Sequence, residues 1–216
     1  FVFPVPIIFA LLLNEVRNTH VKKLVQTVSY LPHFISLVAV CSMLNLMLNP
    51  SSGIVNKMLN ALGVESIYFM GSTQWYRPVY IISQIWQTFG YSAIIYISAL
   101  SAVPQELYES ASVDGASRFR QIMTISLPSI MPTVVIMLIL ECGKLLSVGY
   151  EKTLLLQNSA NNSVADIIST FAYRVGMSRG MYSFGTAVDL FTAVINCLMV
   201  FVVNKISKRV SDTSLW

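Results

Sequence analysis

An all-α integral membrane fold is what this sequence predicts, and three observations point to it. Of the 216 residues 55% are hydrophobic and only 11% are charged, with a mean hydropathy of +0.64; soluble domains carry about a quarter charged residues. The apolar residues gather into five segments, 1–13, 29–48, 79–100, 129–148 and 183–203. The last four are each close to the ~20 residues that cross a hydrocarbon core as a helix. If the crossings alternate, positive charge favours one side: Arg17, Lys22 and Lys23, then Arg118 and Arg120, then Lys205, Lys208 and Arg209. Lys57, Arg77, Lys152, Arg174 and Arg179 are spread over two longer loops on the other. By the positive-inside bias the first set is cytoplasmic.

The first segment is too short to span, and the chain starts with Phe1 inside an apolar run. A fragment is therefore expected, N-terminally incomplete by at least one and a half spans; a signal peptide fits less well because no basic stretch precedes the run. The connection 49–78 holds Pro50, Gly53, Gly63 and Gly71 around a helical piece at 54–62. Trp75, Tyr76 and Arg77 then stand where aromatic and basic anchors enter the membrane interface. The connection 149–182 is polar at Asn158, Asn161, Asn162 and Ser163 and predicts a short helix over 166–173. Cys41, Cys142 and Cys197 lie in apolar segments without disulfide or metal spacing and read as small packing residues. His20 and His33 lack partners at ligand spacing, so no metal is expected. No lysine- or arginine-rich run suggests nucleic acid.

Polar residues in a span mark the face turned away from lipid. Ser42, Asn45 and Asn49 form one such stripe, Gln84, Gln87, Thr88, Tyr91 and Ser98 a second, and Thr186, Asp189, Thr192 and Asn196 a third. Two readings fit them. One is a lining for a hydroxyl-rich solute, with Trp86, Tyr91 or Tyr96 as a stacking ring. The other is hydrogen bonding between helices, worth ~0.6–2 kcal/mol per contact. Glu141 and Lys144, three residues apart, read as an intramembrane charge pair on one helical face.

The longest break in hydrophobicity that still has an internal pattern is 106–128, ELYESASVDGASRFRQIMTISLP. Pro104 suits a first helical turn, with Ser101 available to cap it. Gly115 permits a positive φ, and Asp114 before it can accept from the N–H groups that open a second helix. Phe119, Ile122 and Met123 recur at helical spacing, and Pro128 closes the unit. Two short helices with a hinge and a narrow apolar stripe suit a groove on a partner or a membrane surface. ATP chemistry is not encoded in the chain: Gly143-Lys144 is followed by Leu145 and has Leu138 where a P-loop needs glycine, and no catalytic motif stands elsewhere.

Glu109, Ala111, Asp114, Gly115, Ala116, Ile125, Leu127 and Pro128 stand at the spacing of the EAA loop. The stretch thereby resembles the signature of permease subunits of binding-protein-dependent ATP-binding-cassette importers. Ser110 stands where the loop's name expects alanine, and serine is small enough to keep close packing. The runs YLPHF at 30–34, IWQTFGYSAIIY at 85–96 and SDTSLW at 211–216 look like the LplB-like carbohydrate and polysaccharide permeases, relatives of the maltose permeases. The resemblance implies a type I ABC importer (MetI-like) transmembrane core. In it the EAA loop docks into a cytoplasmic ATPase through Glu109, Ser110, Ala111, Asp114, Gly115, Ala116, Phe119, Ile125, Leu127 and Pro128. It further implies ATP and Mg on that ATPase and no cofactor on this chain. The implied partners are a second, different permease subunit, an extracytoplasmic solute-binding protein and a sugar, in a bacterial plasma membrane with the EAA loop and C-terminus cytoplasmic. Ser42, Asn45, Gln84, Gln87, Tyr91, Asp189 and Asn196 are then the candidate solute pathway. An ion-coupled secondary transporter using Glu141, Lys144 and Asp189 as a relay, or an importer of a non-carbohydrate solute, are the alternatives.

Overall fold

The computed structural model describes residues 2–147 and 149–211, without the side chains of Val210 and Ser211. All regular structure among them is helical. In chain order the helices are α1 (Pro4–Asn14), α2 (Thr19–Tyr30), α3 (Leu37–Met47), α4 (Ile54–Ala61), α5 (Thr73–Ser101), α6 (Gln105–Val113), α7 (Arg118–Gln121), α8 (Leu127–Cys142), α9 (Tyr150–Leu156), α10 (Asn162–Ala165), α11 (Ile168–Tyr173) and α12 (Tyr182–Ser211). A 3₁₀ turn, Leu31–Phe34, extends α2, and π-helical stretches follow α7 (Ile122–Ser126) and α11 (Arg174–Ser178).

Local chemistry explains where elements start. Asn18 has extended backbone, and its Oδ1 accepts from the N–H groups of His20 (2.9 Å) and Val21 (3.3 Å), opening α2. Ser36 does the same for α3 through Ala39 N–H at 3.3 Å. A cap in the middle of an apolar run means that the expected span 29–48 is two helices, broken at Ile35–Ser36. Asn49, expected in the α3 stripe, falls beyond the helix end; its Oδ1 instead accepts from Ser51 and Ser52 N–H, making a turn. The helix expected over 54–62 is α4, and the one expected over 166–173 is α11.

Two helical stretches among the described residues are long and apolar enough to cross a membrane, Arg118–Cys142 and Tyr182–Arg209; the broken pair Thr19–Phe34 and Leu37–Met47 adds a third if it is one span. Helix α5 has 29 residues and contains the expected span 79–100, but Gln84, Gln87 and its tyrosines dilute its apolar windows. Helix α12 exposes Leu190, Phe191, Val194, Leu198, Phe201, Val202 and Ile206. That much contiguous apolar surface calls for lipid or other helices rather than water.

The chain divides into two compact units, to each of which α5 and α12 supply a part. The first comprises Phe1–Phe34, Gln84–Gly143 and Met199–Trp216; the second comprises Ile35–Ser83 and Lys144–Leu198. In the first, α1, the C-terminal half of α5 and α8 share a core of Ile7, Ala10, Leu11, Ala93, Tyr96, Leu100 and Ile130. Ala10 and Ala93 are fully buried, as small residues are where helices in membranes approach closely. In the second, Cys41, Met70, Tyr76, Leu156 and Ala165 form the core. Tyr76 is thus an interior residue, not the exposed interface anchor that its neighbours Trp75 and Arg77 suggest.

Lys152 on α9 is 2% exposed, with its ammonium 5.1 Å from the centre of the Tyr80 ring. Burial brings its pKa from 10.5 down to about 8, offset in part by the thiol of Cys41. The charged form is therefore penalised in the folded state. Between pH 8 and 10.5 the unfolded chain holds more protons than the folded one, so this contribution to stability rises with pH across that window. Thermal unfolding in detergent should accordingly shift upward from about pH 8 to about pH 10. Lys152→Met should remove that part of the dependence and stabilise the protein at neutral pH; unchanged pH dependence in the variant would contradict the penalty.

Candidate functional site

The stretch between α5 and α8 is a built corner within the first unit. Helix α6 starts from Pro104, and Glu106 lies in its first turn, where a negative charge suits the helix dipole. Ser101, expected as the cap, remains in α5 and donates to the Ser98 carbonyl at 2.7 Å. Asp114 ends α6, and Gly115 reverses the chain with φ +75°. Asp114 does not open the next helix, in contrast to the sequence expectation. Gly115 and Ala116 intervene, and the cap is Ser117, which has extended backbone and whose Oγ accepts from Arg120 N–H at 3.4 Å.

The corner is closed by hydrogen bonds. Ala116 N–H donates to the Ala111 carbonyl at 2.9 Å. The Gln121 amide donates to Ser112 Oγ (3.0 Å) and to the Ala116 carbonyl (3.1 Å), joining α7 to α6. Tyr108 and the buried Ser126 share a hydroxyl–hydroxyl bond of 3.0 Å. Arg118 donates to the Glu15 carbonyl at 3.1 Å and faces its carboxylate at 3.3 Å, which ties α7 to the end of α1. The pairing of Arg118 with Glu15 leaves no pattern in the sequence, because the two are 103 residues apart.

Pro128 does not close this unit. It lies in the first turn of α8, and Arg118–Cys142 is continuous helix of 25 residues with the π-helical stretch Ile122–Ser126 inside it. A π-turn just before a proline relieves the lost hydrogen bond to the preceding turn. The second half of the loop is therefore the extended end of a membrane-length rod. Ile125 and Leu127 are half-buried along that rod.

The outward face carries Glu109, Ser110, Asp114 and Gly115, all exposed, with Ala111 and Ala116 half-buried between them. Val113 is 88% exposed and Phe119 70%. Two large apolar side chains so exposed, on a scaffold this firmly bonded, make a surface suited to a groove. A cavity of about 880 Å³ adjoins the corner, and its lining includes Arg17, Lys22, Tyr108, Glu109, Arg118 and Gln121.

The predicted pathway residues divide between the units. In the first, Gln87 is buried, Gln84 half-buried and Tyr91 exposed on α5. The Tyr91 ring stacks on His33 with centroids 3.8 Å apart and planes 2° from parallel, and Phe34 meets it edge-on at 6.1 Å. The YLPHF and IWQTFGYSAIIY runs therefore meet, and one face of the Tyr91 ring is occupied. Tyr96 is in the core and Trp86 39% exposed. In the second unit Ser42 and Asn45 are exposed on α3 and Asp189 on α12. Asn196 accepts from Leu146 N–H at 3.3 Å, a bond from the turn between α8 and α9 to α12 rather than one between two helices. Helix α8 ends at Cys142, so Glu141 lies in its last turn and Lys144 lies beyond. The shared helical face expected for that charge pair is not formed, and the two ion pairs of the described residues are Glu15–Arg118 and Asp166–Arg174. The SDTSLW run, from Asp212 on, lies outside the described residues.

The chain is 41% identical over its full length to Protein LplB of Bacillus subtilis (strain 168), covering 68% of that relative. Over 99% of its length it is 42% identical to the polygalacturonan/rhamnogalacturonan transport system permease protein YteP of the same organism, covering 67%. It thus spans about two thirds of these relatives. Among solved structures, a bacterial alginate ABC transporter in complex with an alginate pentasaccharide-bound periplasmic protein has a chain that matches with a TM-score of 0.97 at 42% identity. That match covers 100% of this chain and 75% of the other. Residues 3–212 match the family described as binding-protein-dependent transport system inner membrane component, and the chain belongs to that family.

Proposed function

We propose that this chain is the transmembrane permease subunit of an ATP-driven importer for oligo- or polysaccharide. Its coupling loop docks on a cytoplasmic ATPase that binds ATP and Mg. A second, different permease subunit completes the membrane core, and an extracytoplasmic binding protein delivers the sugar. The chain carries no catalysis itself. The observation that carries this reading is the construction of the loop: an exposed apolar and acidic face, locked by Gln121, Ser126 and Arg118, and continuous through a π-turn with a membrane-length helix. A push on Phe119 or Glu109 is then delivered to α8 and, through Glu15, to α1. The carbohydrate class rests on the relatives that transport polygalacturonan/rhamnogalacturonan and alginate. The loop lies in the cytoplasm on this reading, in keeping with the positive-inside bias.

Reconstitution in proteoliposomes provides the test. A saccharide delivered by the binding protein should stimulate ATP hydrolysis, and uptake should stop when ATP is removed. Uptake that survives ATP depletion but collapses with an ion gradient would replace this reading with a secondary transporter.

A further inference from the structure

A second cavity, of about 420 Å³, lies within the second unit, and nothing in the docking loop uses it. Its wall is aromatic and hydroxylated: Tyr150, Tyr173 and Tyr182, with Ser169, Thr186 and the carboxylate of Asp189. Its volume is in the ~300–1,000 Å³ range of small-molecule sites.

The floor is set by a backbone contact. A Cβ on Gly185 would stand 2.8 Å from Gly176 Cα, and one on Gly176 would stand 3.0 Å from Gly185 Cα. The π-helical stretch after α11 and the start of α12 can approach this closely only because both residues are glycine. That approach brings Tyr173 together with Tyr182, Thr186 and Asp189 in the lining of the cavity. Tyr150 meets the Tyr173 ring edge-on, 5.8 Å between centroids, which fixes its orientation. Tyr173 is 41% and Tyr182 64% exposed, so both rings keep accessible surface.

The chemistry is selective. Phenol rings offer flat apolar faces and a polar tip, which suits a pyranose, with its C–H faces and hydroxyl rim. The Asp189 carboxylate accepts strong hydrogen bonds from neutral hydroxyls. The lining contains no lysine or arginine, and Asp189 takes no part in the two ion pairs of the described residues. A uronate placed here would meet a like charge with no cation to offset it.

We propose that this cavity is a subsite for a neutral sugar unit and disfavours a uronate. This rests on the carbohydrate reading above and sharpens it, since two of the compared transport systems are named for polymers with acidic sugars, polygalacturonan/rhamnogalacturonan and alginate. The occupant is an uncharged pyranose, or the neutral residue of a mixed chain. Its ring lies against Tyr173 or Tyr182 and its hydroxyls donate to Asp189.

The test compares galactotriose with trigalacturonate, which differ at C6, by equilibrium binding to the purified permease and ATPase assembly without the binding protein. Sugar-stimulated ATP hydrolysis with the binding protein is measured in parallel. The wild type should bind galactotriose about tenfold more tightly, the ratio that ~1.4 kcal/mol produces. Asp189→Asn, which keeps shape and removes charge, should abolish that preference. Thr186→Val should weaken galactotriose binding while leaving discrimination against the uronate, a result that a merely misfolded variant would not give. Equal binding of both sugars in the wild type, or a preference for trigalacturonate, would overturn the subsite while leaving the importer in place. Failure of every saccharide both to bind and to stimulate hydrolysis would remove the carbohydrate reading and the subsite together.

Discussion

Gly115→Val should abolish sugar uptake and sugar-stimulated ATP hydrolysis while leaving the binding protein's own affinity for sugar untouched. The reason is conformational. Gly115 sits at φ +75°, and nothing lies within 4 Å of the position a Cβ would take there, so no steric clash opposes a substitution. The left-handed backbone costs a non-glycine residue ~1–2 kcal/mol, and a β-branched one is an outlier there. The chain would relax by opening the turn, which releases the Ala116–Ala111 bond and the two Gln121 bonds that hold α7 against α6. Exposed Val113, on α6, and Phe119, on α7, would then no longer be held in a fixed relation. Gly115→Asn provides the control, because asparagine visits this conformation readily, and it should retain most of the uptake. Initial uptake rates in proteoliposomes measure both; normal transport by the valine variant would show that the turn transmits nothing.

Asn56→Ala should destabilise the second unit by about 2–4 kcal/mol. The side chain is 1% exposed. Its amide donates toward the carbonyls of Asn49 (3.1 Å), Ile67 (3.0 Å) and Leu48 (3.4 Å), and its oxygen accepts from Ile67 N–H at 2.8 Å. One side chain thus gathers the start and the end of the connection that contains α4. Removal strands these backbone groups in the interior, where each unpaired group costs ~1–3 kcal/mol. Asn56→Asp should be worse, because carbonyl oxygens would then face a second acceptor or a buried charge. A fall in unfolding temperature in detergent, with faster hydrogen exchange over 49–72, is expected for both; an alanine variant as stable as the wild type would show that the network contributes nothing.

The loop was the most legible part of the chain. Glycine at a positive φ and helical spacing of apolar residues are local requirements, and residues 104–128 state them locally. Glu109, Ser110, Ala111, Asp114, Gly115, Ala116 and Phe119 accordingly fall on one corner, while Ile125, Leu127 and Pro128 lie along the rod that follows it. Its fastening was not legible, because Arg118 and Glu15 meet through the fold. The caps expected at Ser101 and Asp114 fail for a related reason, since backbone geometry decides them: α6 starts at Pro104 with no side-chain cap, and Ser117 takes the cap of α7. The break at Ser36 had the opposite character. A serine in an apolar run reads as a polar point on a span until a cap bond to Ala39 gives it direction. Tyr76 and Lys152 looked like surface residues by type, and the interior of the second unit takes them in. The subsite in that unit escaped because its aromatic wall is drawn from α9, α11 and α12, and only Thr186 and Asp189 carried a stripe.

Docking of the corner on a nucleotide-hydrolysing subunit is open to direct measurement. Ser110 is exposed beside Glu109. A Ser110→Cys variant lacking Cys41, Cys142 and Cys197 can be treated with a bifunctional thiol crosslinker in membranes, and with an impermeant thiol reagent in intact cells. A crosslinked product containing the ATPase, from a cysteine that the impermeant reagent does not reach, is the expected result. Labelling from outside the cell, or crosslinking that never captures an ATPase, would contradict it.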